Sequence, residues 1–124
     1  MKGLGVLGEK TYTFAIRIIN AYKFLVKEGE YVLSKQVLRS GTAIGAICRE
    51  AQNAQSKADF LHKINIALKE ANETEYWISL LKDTNYIDEK MYNSIYSDCD
   101  EIVRILTKTV KTIKRNIEAE KNNK

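Results

Sequence analysis

Few side chains in this sequence could perform chemistry, and their spacing narrows the options further. One histidine, His62, stands in 124 residues. A di-iron or di-manganese bundle site needs Glu-x-x-His on two helices with further glutamates. His62 has Asp59, not glutamate, three positions before it, and no second such pair exists. Helical geometry sets His62 beside Asp59 and Ile66, which suits a solvated or interface imidazole better than a ligand. The two cysteines, Cys48 and Cys99, lack CxxC or CxxH spacing. No metal site is expected, and each cysteine reads as a small apolar residue in a reduced protein. No Gly-x-Ser-x-Gly elbow, phosphate-binding loop or dinucleotide fingerprint occurs. Neither catalysis nor a cofactor is therefore expected.

The spacing of polar residues points to pairing and binding instead. Gln36, Arg39, Arg49 and Glu50 fall in one segment, and Glu70 and Glu73 in the next. Glu70, Glu73 and Trp77 share one helix side at intervals of three and four. A guanidinium grips carboxylates through two parallel hydrogen bonds. These six residues are expected to fix helix register or to join subunits. The net charge of +4 is unevenly spread: residues 1–50 carry +4, residues 51–103 carry −5 and residues 104–124 carry +5. Basic ends can attract a polyanion, or they can pair with the acidic middle of another copy. Lys10 and Arg17 near the start, with Lys108, Lys111, Lys114 and Arg115 near the end, are the candidate nucleic-acid contacts.

The elements that must position these residues are helical. The sequence has no proline and six glycines, three of them in the first eight residues. A sheet protein of this size needs many turns rich in those residues. Phe14, Ile18, Ala21 and Leu25 recur at helical spacing, predicting a first helix over 9–28 that Gly29 ends. A second is predicted over 34–54, with Ser34 as its N-cap. Gly41 and Gly45 lie four apart on one face of it. Each costs a helix about 1 kcal/mol relative to alanine, so that face is expected to admit another backbone closely. A third helix is predicted over 57–83, opened by Ser56 and Asp59 in a capping box. A fourth, over 89–117, follows Asp88 as N-cap, and the polar tail after it is expected to fray. One domain spanning 1–124 results: an all-α, antiparallel, up-down four-helix bundle. No apolar stretch is long enough for a membrane span or a secretory signal, which predicts a cytoplasmic protein.

The segment SKQVLRSGTAIGAICREA at 34–51, Ser56 with Phe60, and IALKEANETEYWISLL at 66–81 resemble the bacterial 23S rRNA intervening-sequence protein family. Ser34, Gln36, Arg39, Ser40, Ile44, Ile47, Glu50, Phe60, Ala67, Glu70 and Glu73 match its pattern. Ala43 and Ala46 depart from it, standing where serine and asparagine are usual. The resemblance implies an up-down bundle assembled as a ring, commonly a homopentamer, with no established enzymatic activity. RNA or DNA, and a protein partner such as a reverse transcriptase, are the partners it implies. The two functions to weigh are a nucleic-acid-binding accessory module and a structural or protein-interaction module. The second draws on Tyr76, Tyr86, Tyr92 and Tyr96 as candidate exposed aromatics, because tyrosine is favoured at interfaces.

Overall fold

A computed structural model describes residues 5–123. The outermost residues of the predicted domain, 1–4 and 124, lie outside that description. Four helices follow in order: α1 (Gly5–Lys27), α2 (Leu33–Ala51), α3 (Lys57–Asp83) and α4 (Glu89–Asn122). No strand occurs among the described residues. Each helix packs on its neighbour in sequence, and α4 returns beside α1 to which it is more loosely joined. Cross-helix contacts set the directions. Gly41 and Gly45 of α2 stand against Ile18 and Thr11 of α1, so rising numbers on one meet falling numbers on the other. Arg39 meets Glu70 and Glu73 of α3, and Cys99 of α4 reaches the Ala71 carbonyl. The bundle is therefore up-down and antiparallel.

The core follows the predicted stripes. α1 buries Leu7, Thr11, Phe14, Ile18, Ala21 and Leu25, alternating steps of four and three. α3 buries Phe60, Ile64, Ala67, Ala71, Thr74, Ile78 and Leu81. α4 adds Ile95, Cys99, Ile102, Leu106 and Val110. That periodicity keeps one side of each helix on the bundle axis.

Helix ends differ from expectation in four places. α1 begins at Gly5, not at Glu9, because Leu7 continues the buried stripe. α2 stops at Ala51, three residues before Ala54. There the Gln52 amide turns back tightly to the Arg49 carbonyl. α4 runs on to Asn122, so the tail expected to fray is helical. Glu118, Ala119, Glu120 and Lys121 are good helix formers, and Glu120 pairs with Lys57 at the head of α3. Finally, Ser34 is not the N-cap of α2. That helix starts at Leu33, and Ser34 is buried within its first turn.

Glu30 performs the capping instead. Its carboxylate accepts from the Ser34 amide at 2.6 Å and from the Val32 amide at 3.3 Å. The Ser34 hydroxyl donates to the Glu30 carbonyl at 2.9 Å. The Glu30 amide meanwhile donates to the Leu25 carbonyl and that of Gly29 to Val26, closing α1 in a Schellman motif. Gly29 holds φ +89°, a conformation that side chains with a Cβ rarely adopt. Asn85 repeats the arrangement at the end of α3 with φ +67°.

The paired glycines bring α1 and α2 of one chain together. A Cβ on Gly41 would fall 2.8 and 2.9 Å from Ile18 Cγ1 and Cγ2. On Gly45 it would fall 3.3 Å from the Thr11 carbonyl oxygen. The branched Ile18 side chain is stiff at χ1 and cannot swing away. Gly41→Ala is therefore expected to lower stability by about 1–2 kcal/mol, overpacking exceeding the gain of roughly 1 kcal/mol in helix propensity. In an Ile18→Ala background the same substitution should become neutral or stabilising. A double-mutant cycle in urea reads both effects.

Candidate functional site

The side chains that sequence spacing singled out separate into three groups. The first forms a clasp between α2 and α3. Arg39 bonds Glu70 at 3.1 Å and also bonds Glu73. Trp77 donates its indole N–H to Glu73 at 2.9 Å. The Trp77 bond, opposed by partial burial and aided by Arg39, holds the Glu73 carboxyl below the usual carboxylate range. Beneath the clasp the buried hydroxyls of Ser40 and Thr74 lie 2.8 Å apart. The clasp fixes the register of two helices within one chain. Gln36, Arg49 and Glu50 do not join it: all three are exposed, and neither Arg49 nor Glu50 has an ion-pair partner among the described residues. Arg49 and Glu50 instead border an open groove between α1 and α2, whose walls include Gly8, Tyr12, Ala15, Gly45 and Ala46.

The second group ties α1 to α4. Lys10 pairs with Glu101 at 3.0 Å. Arg17 pairs with Asp98 and donates to Ser94 Oγ at 2.7 Å. Their spacing in the sequence grouped these two cations with the basic end of α4 as candidate nucleic-acid contacts. The antiparallel register sets them level with residues 94–101, the acidic half of α4, and their charge is neutralised there.

The third group is the basic end of α4 itself. Lys108, Lys111 and Arg115 recur at three and four residues and so share a face, with Lys114 beside them. All four are exposed, and none has an ion-pair partner among the described residues. The stripe begins two helical turns beyond Glu101, about 10 Å along the axis. Lys57 lies near its far end, held by Glu120.

The remaining candidates stand outside these three groups. His62 is exposed, and Asp59 accepts from the Gln55 amide at 3.2 Å while its own amide donates to Ser56 Oγ at 3.0 Å. Both cysteines are free and buried, and burial pushes the Cys48 thiol up to about 11. Burial also pushes the Cys99 thiol up, with Glu75 and Asp100 adding to it. Neither is a ready thiolate. Tyr76 and Tyr86 are exposed, whereas Tyr92 and Tyr96 are half-buried against each other with ring centres 5.1 Å apart. Among the described residues no group of three or more His, Cys, Asp or Glu could hold a metal ion, and no helix is long and apolar enough to cross a membrane.

One buried polar atom went unforeseen. Glu75 Oε2, between α3 and α4, has no hydrogen-bond partner. Burial, then the charge of Asp100, raise the pKa of this carboxyl. Its ionised form is disfavoured by folding, so it costs stability as pH rises through that raised value. Well below the ordinary glutamate range, about 4.3, the cost vanishes. Glu75→Gln is expected to raise Tm at pH 7 by roughly 2–4 °C and to leave it unchanged near pH 3.5. Thermal melts followed by circular dichroism at the two pH values check it.

A clasped, antiparallel bundle of four helices defines a small all-α protein. More specifically, the chain belongs to the 23S rRNA-intervening sequence protein family, whose sequence model matches residues 6–108. It is similar to a solved protein of unknown function from the S23 ribosomal protein family of Bacteroides thetaiotaomicron. The two share 57% identity over 84% of this chain and 97% of that one, with a TM-score of 0.83. No curated protein matches the sequence.

Proposed function

We propose that this protein is an oligomeric, non-enzymatic accessory module that binds nucleic acid through the α4 stripe. The observation that carries the reading is the clustering of four exposed, unpaired cations on one end of α4. Lys10 and Arg17 are engaged by carboxylates of α4, while Lys108, Lys111, Lys114 and Arg115 are left free on one end of that helix. Phosphate contacts by such side chains release counterions and need no sequence-specific geometry. A ring of copies, five by the family resemblance, would repeat the stripe around one rim. The family description refers to 23S rRNA, which makes a structured RNA the first probe.

Fluorescence anisotropy with a labelled RNA hairpin tests the reading. Binding is expected at about 50 mM salt and should weaken at least tenfold by about 200 mM. Absence of binding at the lower salt would remove the nucleic-acid role. The protein-interaction reading would then stand on the apolar residues that α1 exposes.

A further inference from the structure

The free cations of α4 and the exposed aromatic side chains stand apart in this bundle. Lys108 follows Glu89, the first residue of α4, by 19 positions, which is about 28 Å along the helix axis. Tyr31 and Tyr86, in the links, and Phe24, in the last turn of α1, lie at the end where α4 starts, and they are 59%, 41% and 41% exposed. Tyr12 lines the groove between α1 and α2, and Tyr76 packs edge-on against Trp77 of the α2–α3 clasp. Phe60, near the head of α3, is buried in the core. Residues 97–124 include no Phe, Tyr, Trp or His.

A protein that holds single strands interleaves cations with aromatic platforms on which unpaired bases stack. The α4 stripe offers cations alone. Lys108, Lys111 and Arg115 step along one unbroken helix over about 10 Å, with Lys114 beside them. Arg104, held by Asp100, and the exposed Glu118 bound the run. A double helix presents one phosphate charge per roughly 1.7 Å of axis, and one strand presents half that density. A run of about 10 Å therefore meets about six phosphates of a duplex and about three of a strand. A duplex can engage all four free cations at once, and a strand leaves one idle. We infer that the ligand of the stripe is a double helix, held by its phosphate backbone without reading its bases. This inference rests on the nucleic-acid reading above and adds to it the strandedness of the ligand. RNA and DNA duplexes share that chemistry.

Anisotropy competition on the full chain tests it with three probes of equal phosphate number: an RNA duplex, a DNA duplex and an oligouridylate, which does not fold on itself. At about 0.1 M salt the tighter duplex is expected to bind about tenfold or more tightly than the oligouridylate, with no change when its sequence is shuffled. Its slope of log affinity against log salt should be about 3–4, from four contacts at roughly 0.9 each. Binding of the RNA duplex, the DNA duplex or both names the source. Thr112, exposed between Lys108 and Arg115, gives a second readout. Thr112→Trp adds a stacking surface and should raise oligouridylate affinity about fivefold or more, leaving duplex affinity within about twofold. Circular dichroism confirms that the variant keeps its helix. An oligouridylate bound as tightly as the tighter duplex, a duplex affinity that follows base sequence, or no gain from Thr112→Trp overturns the inference and leaves the stripe a nucleic-acid site. No binding of any probe at about 50 mM salt overturns the nucleic-acid role of the stripe as well.

Discussion

Reversing Lys108, Lys111 and Arg115 to glutamate is expected to weaken RNA binding by about 100-fold or more at 0.1 M salt. Each phosphate neutralised contributes roughly 0.7–0.9 to the slope of log affinity against log salt. Losing three contacts should therefore flatten that slope by about 2–3, and the new carboxylates add repulsion. Lys10→Gln and Arg17→Gln provide the contrast. Their charges already face Glu101 and Asp98, so removing them should change the slope by less than about 0.5 per site. All three positions lie well before the last turn of α4, which holds Lys121, so their reversal leaves the helix-dipole contribution in place. Circular dichroism separates any loss of helix from the loss of binding. Binding that survives the triple reversal with its slope intact would show that the stripe is not the contact surface.

Glu30→Ala is expected to cost about 2–3 kcal/mol of unfolding free energy at pH 7. Glu30 is 6% exposed, and its carboxylate accepts from two amides at the start of α2. Alanine would leave the buried Ser34 N–H and the part-buried Val32 N–H without that partner. A lost cap costs about 1 kcal/mol, and each orphaned buried donor adds to it. The pH dependence has a definite sign. Burial alone would raise the Glu30 pKa, but the amides of Ser34, Leu33 and Val32 and the Ser34 hydroxyl outweigh it, and the net shift is downward. A lowered folded pKa means that the stabilisation is present above the ordinary glutamate range and is lost as pH falls through the folded value. Wild type and variant should therefore differ most near neutrality and approach each other as pH falls through that lowered value. Glu30→Gln should fall between them, since its amide oxygen still accepts. Urea titrations across that pH range measure all three proteins.

Glu30 also illustrates what escapes a reading by spacing. Local capping patterns look for a short polar residue immediately before a helix, and Ser34 fits that pattern. The residue that caps α2 reaches its amides only because Gly29 turns the chain with a positive φ. Backbone geometry at one glycine thus decides which side chain arrives. The same limit applies to Lys10 and Arg17. Their charge is plain in the sequence, but their partners lie 91 and 81 positions away on α4. The Arg39–Glu70–Glu73 clasp was more legible, because both carboxylates share a face and a guanidinium stood ready on the preceding helix.

By itself the sequence determined four helices, their inner faces and their up-down order. Those properties follow from local periodicity, from short links and from the want of proline, and each is decided within a few residues of chain. The tertiary structure alone decided the register between helices, and with it which charges are consumed and which are left over. Ion pairing falls steeply with distance and is set by a slide of one helical turn. Only the packed bundle could show that Lys10 and Arg17 pair with carboxylates of α4 at the surface, that the α4 stripe has no ion-pair partner among the described residues, and that α1 leaves Tyr12, Ile16 and Ile19 open to solvent.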